Sequence, residues 1–253
     1  MPPQMTLEFE HAHGTALVQR AGSSDERHFV LVHGIGVASH YWARLVPLLA
    51  RSGTVHVLEL PGFGGAPQPP AALSVPQLAG VVTAYCRFAA LDEPVLVGHS
   101  MGAQVIVEAS VQDPGLGSVV VAIAPVVDPQ APTALRQGLR LLNDFVLEPP
   151  ASNLAVVRDY VRTGPGYFLA SVPHMLDYRM EDAAARLAVP LLVLRGSRDP
   201  IVPLRWAQQL CQLAPQARAV TVQGAPHAVH FTHAEEVAAE VLAHVEAVLG
   251  LRR

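Results

Sequence analysis

Pro94-Val95-Leu96-Val97-Gly98-His99-Ser100-Met101-Gly102-Ala103-Gln104-Val105-Ile106-Val107-Glu108-Ala109 is the stretch whose reading decides the fold. The apolar run Pro94–Val97 reads as a buried strand, and Ala103–Ala109 reads as a helix. Between them, Gly98-His99-Ser100-Met101-Gly102 leaves room only for a sharp turn with a serine at its apex. A serine on such a strand-to-helix turn sits in strained backbone with its hydroxyl pointing into a pocket, and the flanking glycines let strand and helix approach closely. G-x-S-x-G alone is common; the strand before it and the helix after it give it meaning.

Outward from this turn, strand-like and helix-like runs alternate. Thr15–Arg20, His28–His33, Thr54–Leu60, Pro94–Val97, Ser118–Ala124, Pro190–Arg195 and Ala217–Gln223 read as strands. Tyr41–Arg51 reads as a short helix, and Ser74–Leu91 as an amphipathic one with Val75, Leu78, Val82, Tyr85 and Phe88 at helical spacing. Continuous apolar strands separated by helices predict an α/β fold with a parallel sheet covered on both faces. The alternation breaks between about Val126 and Val189. There Thr133–Leu147, Ser152–Thr163, Pro165–Asp177 and Met180–Leu187 follow one another as helix-like pieces, punctuated by Pro149-Pro150, Gly164-Pro165-Gly166 and Pro173. We read residues 126–189 as a helical cap inserted into a core formed by residues 1–125 and 190–253.

Size and composition agree with this reading. The chain has 253 residues, 51% hydrophobic and 15% charged, enough for one large domain with an insertion and a sizeable core. A net charge of −4 with scattered arginines argues against a nucleic-acid surface. No apolar run approaches the roughly 18 residues that cross a bilayer. The start, Met1–Glu8, shows no basic segment followed by an apolar one. The expectation is a cytoplasmic protein with no membrane partner. Cys86 and Cys211 sit in helix-like segments and are expected as free thiols.

Serine near neutral pH needs a base to take its proton and a third group to orient that base. Asp199 follows the strand-like run Pro190–Leu194 in a loop at the strand's carboxyl end, where open sheets place their sites. Gly224-Ala225-Pro226-His227 follows the next strand. Serine, acid, histidine is the chain order that the elbow motif predicts. Asp128, which also follows a strand, is the alternative acid, and His230 and His233 compete with His227. His33 and His99 flank the chemistry and are expected to bond backbone in the core. His227, His230 and His233 are spaced by three, but without a nearby cysteine or acidic cluster they predict no metal site. No phosphate loop or dinucleotide fingerprint appears, so no cofactor is expected.

The chain resembles the α/β-hydrolases over essentially its whole length. The resemblance rests on His33-Gly34, Leu60-Pro61-Gly62-Phe63-Gly64, the Ser100 elbow, Gly196-x-x-Asp199 and Pro226-His227, in that order. It implies a mostly parallel, doubly wound sheet of about eight strands. It further implies Ser100 as nucleophile, His227 as base and Asp199 as the orienting acid, with the backbone N–H groups of Ile35 and Met101 as oxyanion hole. The activity it implies is a serine esterase acting on a small acyl substrate. Trp42, Leu142 and Phe168 are expected at the substrate. Serine excludes the aspartate chemistry of dehalogenases and epoxide hydrolases of this fold. Carbon–carbon bond hydrolases commonly carry Asn before the serine and Trp after the histidine, where this chain has His99 and Ala228. Such a hydrolase, a cofactor-free haloperoxidase-like enzyme and a non-catalytic small-molecule receptor are the alternatives. Neither the natural acyl group nor the oligomeric state is legible here.

Overall fold

Six strands run parallel, and the central ones leave no face for water. In the computed structural model, which describes residues 6–22, 27–130 and 158–251, these are β3 (His28–Val32), β4 (Thr54–Glu59), β5 (Val95–His99), β6 (Val119–Ile123), β7 (Leu191–Gly196) and β8 (Ala217–Val222). Every residue of β4, β5, β6 and β7 is buried, as strands sandwiched between helix layers must be. Two antiparallel strands, β1 (Thr6–His11) and β2 (Gly14–Ala21), complete an eight-stranded sheet of order β1-β2-β4-β3-β5-β6-β7-β8. β1 escapes the sequence reading for a physical reason. It is an edge strand with only Phe9 buried, so it carries no apolar run.

The helices follow local chemistry. α1 (Val46–Leu49) and a preceding 3-10 turn, Ser39–Trp42, replace the single helix expected over Tyr41–Arg51. Pro47 lies in the first turn of α1, where a missing N–H is tolerated, so the helix restarts there. α2 (Val75–Phe88) starts at Ser74 with a capping box closed by Gln77. α3 (Met101–Gln112) is buried along most of its length. Among the described residues the chain forms no strand between β6 and β7. Residues 158–163 are helical, followed by α4 (Pro165–Asp177) and α5 (Met180–Ala184). The expected piece Thr133–Leu147 and the start of Ser152–Thr163 lie outside the described residues. The chain then returns through α6 (Leu204–Leu213), α7 (Val229–Thr232) and α8 (Ala234–Leu251).

The elbow is the tightest part of the core. Ser100 has φ 56° and ψ −118°, a conformation that non-glycine residues rarely adopt. A Cβ added to Gly98 would stand 2.3 Å from the carbonyl oxygen of Gly102, and one added to Gly102 would stand 2.1 Å from that of Val32. Gly102→Ala must therefore push α3 off the sheet. We expect it to lower stability in urea unfolding by about 2 kcal/mol or more.

Candidate active site

Ser100, Asp199 and His227 all lie just beyond the carboxyl ends of parallel strands. Ser100 closes β5, and its N–H donates to Ile123 O (2.9 Å), fixing the turn against β6. Met101 is the first residue of α3, so its N–H has no acceptor within the helix. Ile35 lies in the loop after β3. The preceding Gly34 backs onto the serine, since a Cβ built there would be 3.1 Å from Ser100 Cβ.

His227 Nδ1 donates to Asp199 Oδ2 at 2.9 Å, and both side chains are buried. The other carboxylate oxygen, Oδ1, accepts from the backbone N–H groups of Ile201 (2.7 Å) and Val202 (3.1 Å). The pairing places the His227 proton on Nδ1 and leaves Nε2 as the basic nitrogen. The loops that carry acid and base are stapled together. Gly224 N–H donates to Ser197 Oγ (2.8 Å) and Arg198 N–H to Ala225 O (3.0 Å). Buried Arg195 donates from Nε to Val202 O at 2.8 Å, supporting the acid loop from beneath. Asp128, the alternative acid, is buried in a two-pronged pair with Arg205 and also accepts from Gln130 N–H.

Behind His227 stands a stack of imidazoles. His99 Nε2 donates to the His227 carbonyl (3.3 Å); its ring lies 4.9 Å from that of His227 and 4.3 Å from that of His230. Burial, then the neighbouring His227, pulls the His230 pKa down to about 3, and burial holds His99 well below its ordinary value. Both rings are uncharged at neutral pH. His233 lies outside the stack, bonded to Thr232 Oγ1 (2.9 Å). His33 accepts from Leu60 N–H through Nε2 (3.0 Å) and donates from Nδ1 to Gly34 O (2.7 Å), so it ties the loop after β4 to the loop carrying Ile35.

The three residues expected at the substrate fall in different places. Trp42 is fully buried with its ring 4.4 Å from that of His230, so it backs the imidazole stack and presents no surface to a ligand. Phe168, half-buried in α4, lies with Tyr160 directly over Gly36, next to Ile35; their rings are 4.8 Å apart. Leu142 lies outside the described residues. Sequence reasoning missed Tyr160, Arg195 and Glu59. Glu59 accepts from Ser39 N–H (3.1 Å), Ser39 Oγ (2.5 Å) and Gly65 N–H (2.8 Å), bracing the turn after the Ile35 loop. None of the three belongs to a motif; Tyr160 and the Ser39 partner of Glu59 act across long stretches of chain, and Arg195 reaches Val202 only through the fold of its loop.

Among the described residues, no group of three or more His, Cys, Asp or Glu is placed to hold a metal ion, and no helix is long and apolar enough to cross a membrane. Cys86 and Cys211 are free.

A strained elbow serine and a buried carboxylate–imidazole pair, all at the carboxyl edge of one parallel sheet, are the marks of a serine hydrolase. The sequence model of the Alpha/beta hydrolase family matches residues 29–240, and the chain belongs to that family. It is 25% identical over 258 positions to the pimeloyl-[acyl-carrier protein] methyl ester esterase of Edwardsiella ictaluri, across 87% of this chain and 94% of that protein. It is 28% identical over 247 positions to the enzyme of the same name from Stenotrophomonas maltophilia, across 87% and 93%. The fold is similar to that of a thermophilic esterase from Thermogutta terrifontis, with a TM-score of 0.81, 18% identity, and coverage of 96% of this chain and 99% of that one. The chain is a hydrolase of the ester-cleaving kind.

Proposed function

We propose that Ser100, His227 and Asp199 are the catalytic triad of a cytoplasmic carboxylesterase, and that residues 126–189 cap its acyl site. The observation that carries this reading is the buried Asp199–His227 pair, whose two loops are stapled together at the same carboxyl edge of the sheet that carries the Ser100 elbow. His227 Nε2 takes the serine proton while Oγ attacks the ester carbonyl. The Ile35 and Met101 N–H groups receive the oxyanion. The tetrahedral intermediate collapses, His227 returns its proton to the leaving alkoxide, and an acyl-enzyme remains. Water, deprotonated by the same histidine, releases the acid.

The names of the relatives point to a small alcohol on one side and a carrier-bound acyl chain on the other. We assign this chain a methyl or similarly small ester of a medium-length acyl group. Phe168 and Tyr160, apolar and adjacent to the Ile35 loop, support an apolar acyl wall. The test is alcohol release from methyl esters of graded acyl length, free and attached to an acyl carrier protein. Phe168→Ala should move the preferred acyl length while leaving kcat on p-nitrophenyl acetate within about threefold, since pocket contacts of this size discriminate by about 1–3 kcal/mol. An unchanged length profile would remove Phe168 from the acyl wall.

A further inference from the structure

Ser100 and His227 do not sit on neighbouring strands. Ser100 closes β5 and His227 follows β8, and β6 and β7 lie between them in the sheet. A base must stand within about 3 Å of the proton it takes, so the loop that carries His227 has to be held back across the ends of two strands. The bonds around the acid and the base do not do this. Gly224 N–H to Ser197 Oγ, Arg198 N–H to Ala225 O and His227 Nδ1 to Asp199 Oδ2 all join the segment after β7 to the segment after β8. They make acid and base one unit and leave its distance from the nucleophile open.

His99 closes that distance. It is the last residue of β5 and the neighbour of Ser100, its side chain is buried, and its Nε2 donates to the His227 carbonyl at 3.3 Å. Its ring lies 4.9 Å from the His227 ring. A Cβ built on Gly34, in the loop that carries Ile35, would be 3.3 Å from His99 Nδ1. Tyr41, from the turn after that loop, meets the ring edge-on at 5.6 Å. One imidazole therefore touches the elbow, the base loop and the loop after β3. A carbonyl can only accept, so the His99 proton resides on Nε2, and burial keeps the ring uncharged. An apolar side chain would fill this position without the cost of burying a polar ring. What the imidazole adds over such a side chain is the one N–H that reaches His227.

We propose that His99 is a positioning residue: by donating its Nε2–H to the His227 carbonyl it ties the acid–base unit to the nucleophile elbow and sets the reach from His227 Nε2 to Ser100 Oγ. The proposal rests on Ser100 and His227 being nucleophile and base. The tie starts one residue from the serine and ends on the backbone of the base itself, so little chain is left to slacken between the two reacting groups. A single bond of this kind contributes modestly to stability, whereas a displacement of about 1 Å at the reacting atoms can cost about 100-fold in rate.

His99→Met and His99→Gln test it as a pair, because the two side chains are alike in length and only glutamine carries a donor. The readouts are kcat and KM for p-nitrophenyl acetate, the rate of fluorophosphonate labelling, and hydrogen exchange over residues 224–230 corrected for intrinsic rates. His99→Met should lower kcat and the labelling rate together by about 10- to 100-fold, with KM within about threefold of wild type. Exchange over 224–230 should quicken by about tenfold. His99→Gln should return kcat to within about fivefold of wild type and restore the protection. Equal kcat in the two variants, or unchanged exchange in His99→Met, would overturn the proposal. Ring-nitrogen NMR of the wild type needs no folded variant: His99 should be neutral with its proton on Nε2, and a proton on Nδ1 would overturn the tie. Exchange and tautomer that behave as described in a protein whose Ser100→Ala variant keeps its turnover would uphold the tie and overturn only the assigned nucleophile.

Discussion

Ser100→Ala is expected to lower kcat on a short p-nitrophenyl ester by roughly 10⁴ to 10⁶ while leaving the fold intact. In the proposed triad Ser100 carries the acyl-enzyme, so its loss would leave only binding and the proposed backbone donors, which in triad enzymes supply only a residual rate over water. The fold survives because the hydroxyl is not structural. Ser100 precedes α3 without capping it through its side chain, and its anchoring bond to Ile123 O comes from the backbone. Alanine keeps the same Cβ at the strained turn. Urea unfolding should therefore match the wild type within about 0.5 kcal/mol, and turnover within tenfold of wild type would remove Ser100 from the mechanism.

Asp199→Asn should cost about 10⁴ in kcat, and the structure says why. The Ile201 and Val202 N–H groups both donate to Oδ1, so an amide at this position must place its carbonyl oxygen there. Its NH₂ then faces His227 Nδ1, which must accept, and the imidazole proton moves to Nε2. A protonated Nε2 cannot take the serine proton. Asp128→Asn should leave kcat within about threefold, because the carboxylate of Asp128 is engaged by Arg205 and Gln130 while that of Asp199 is bonded to the imidazole. Its effect belongs to stability. Steady-state kinetics of the two variants, side by side, check this ranking.

Much of this arrangement was legible before any coordinates. Buried parallel strands announce themselves as continuous apolar runs, and the chemistry sits where such strands end. Strand ends placed Ser100, Asp199 and His227, but the elbow motif and the family resemblance were needed to order them against Asp128, His230 and His233. β1 was not legible, since only Phe9 on that edge strand is covered. The helix expected at Tyr41–Arg51 broke because Pro47 resets the backbone. Trp42, expected at the substrate, is instead drawn by tertiary packing under His230. His33 and His99 do bond backbone groups in the core, as their setting near the chemistry predicted. Tyr160 acts on Gly36, and Glu59 on Ser39, from far along the chain, and Arg195 reaches Val202 only through the fold of its loop; no local pattern encodes such contacts.

The central claim is that Ser100 is a nucleophile activated by His227. Labelling with a fluorophosphonate, followed by peptide mapping, tests it most directly. A single adduct on the peptide bearing Ser100 is predicted, absent in Ser100→Ala and formed at least about 10³-fold more slowly in His227→Ala, with His230→Ala still labelled. An adduct on another residue, or a His227→Ala variant labelled at the wild-type rate, would contradict it.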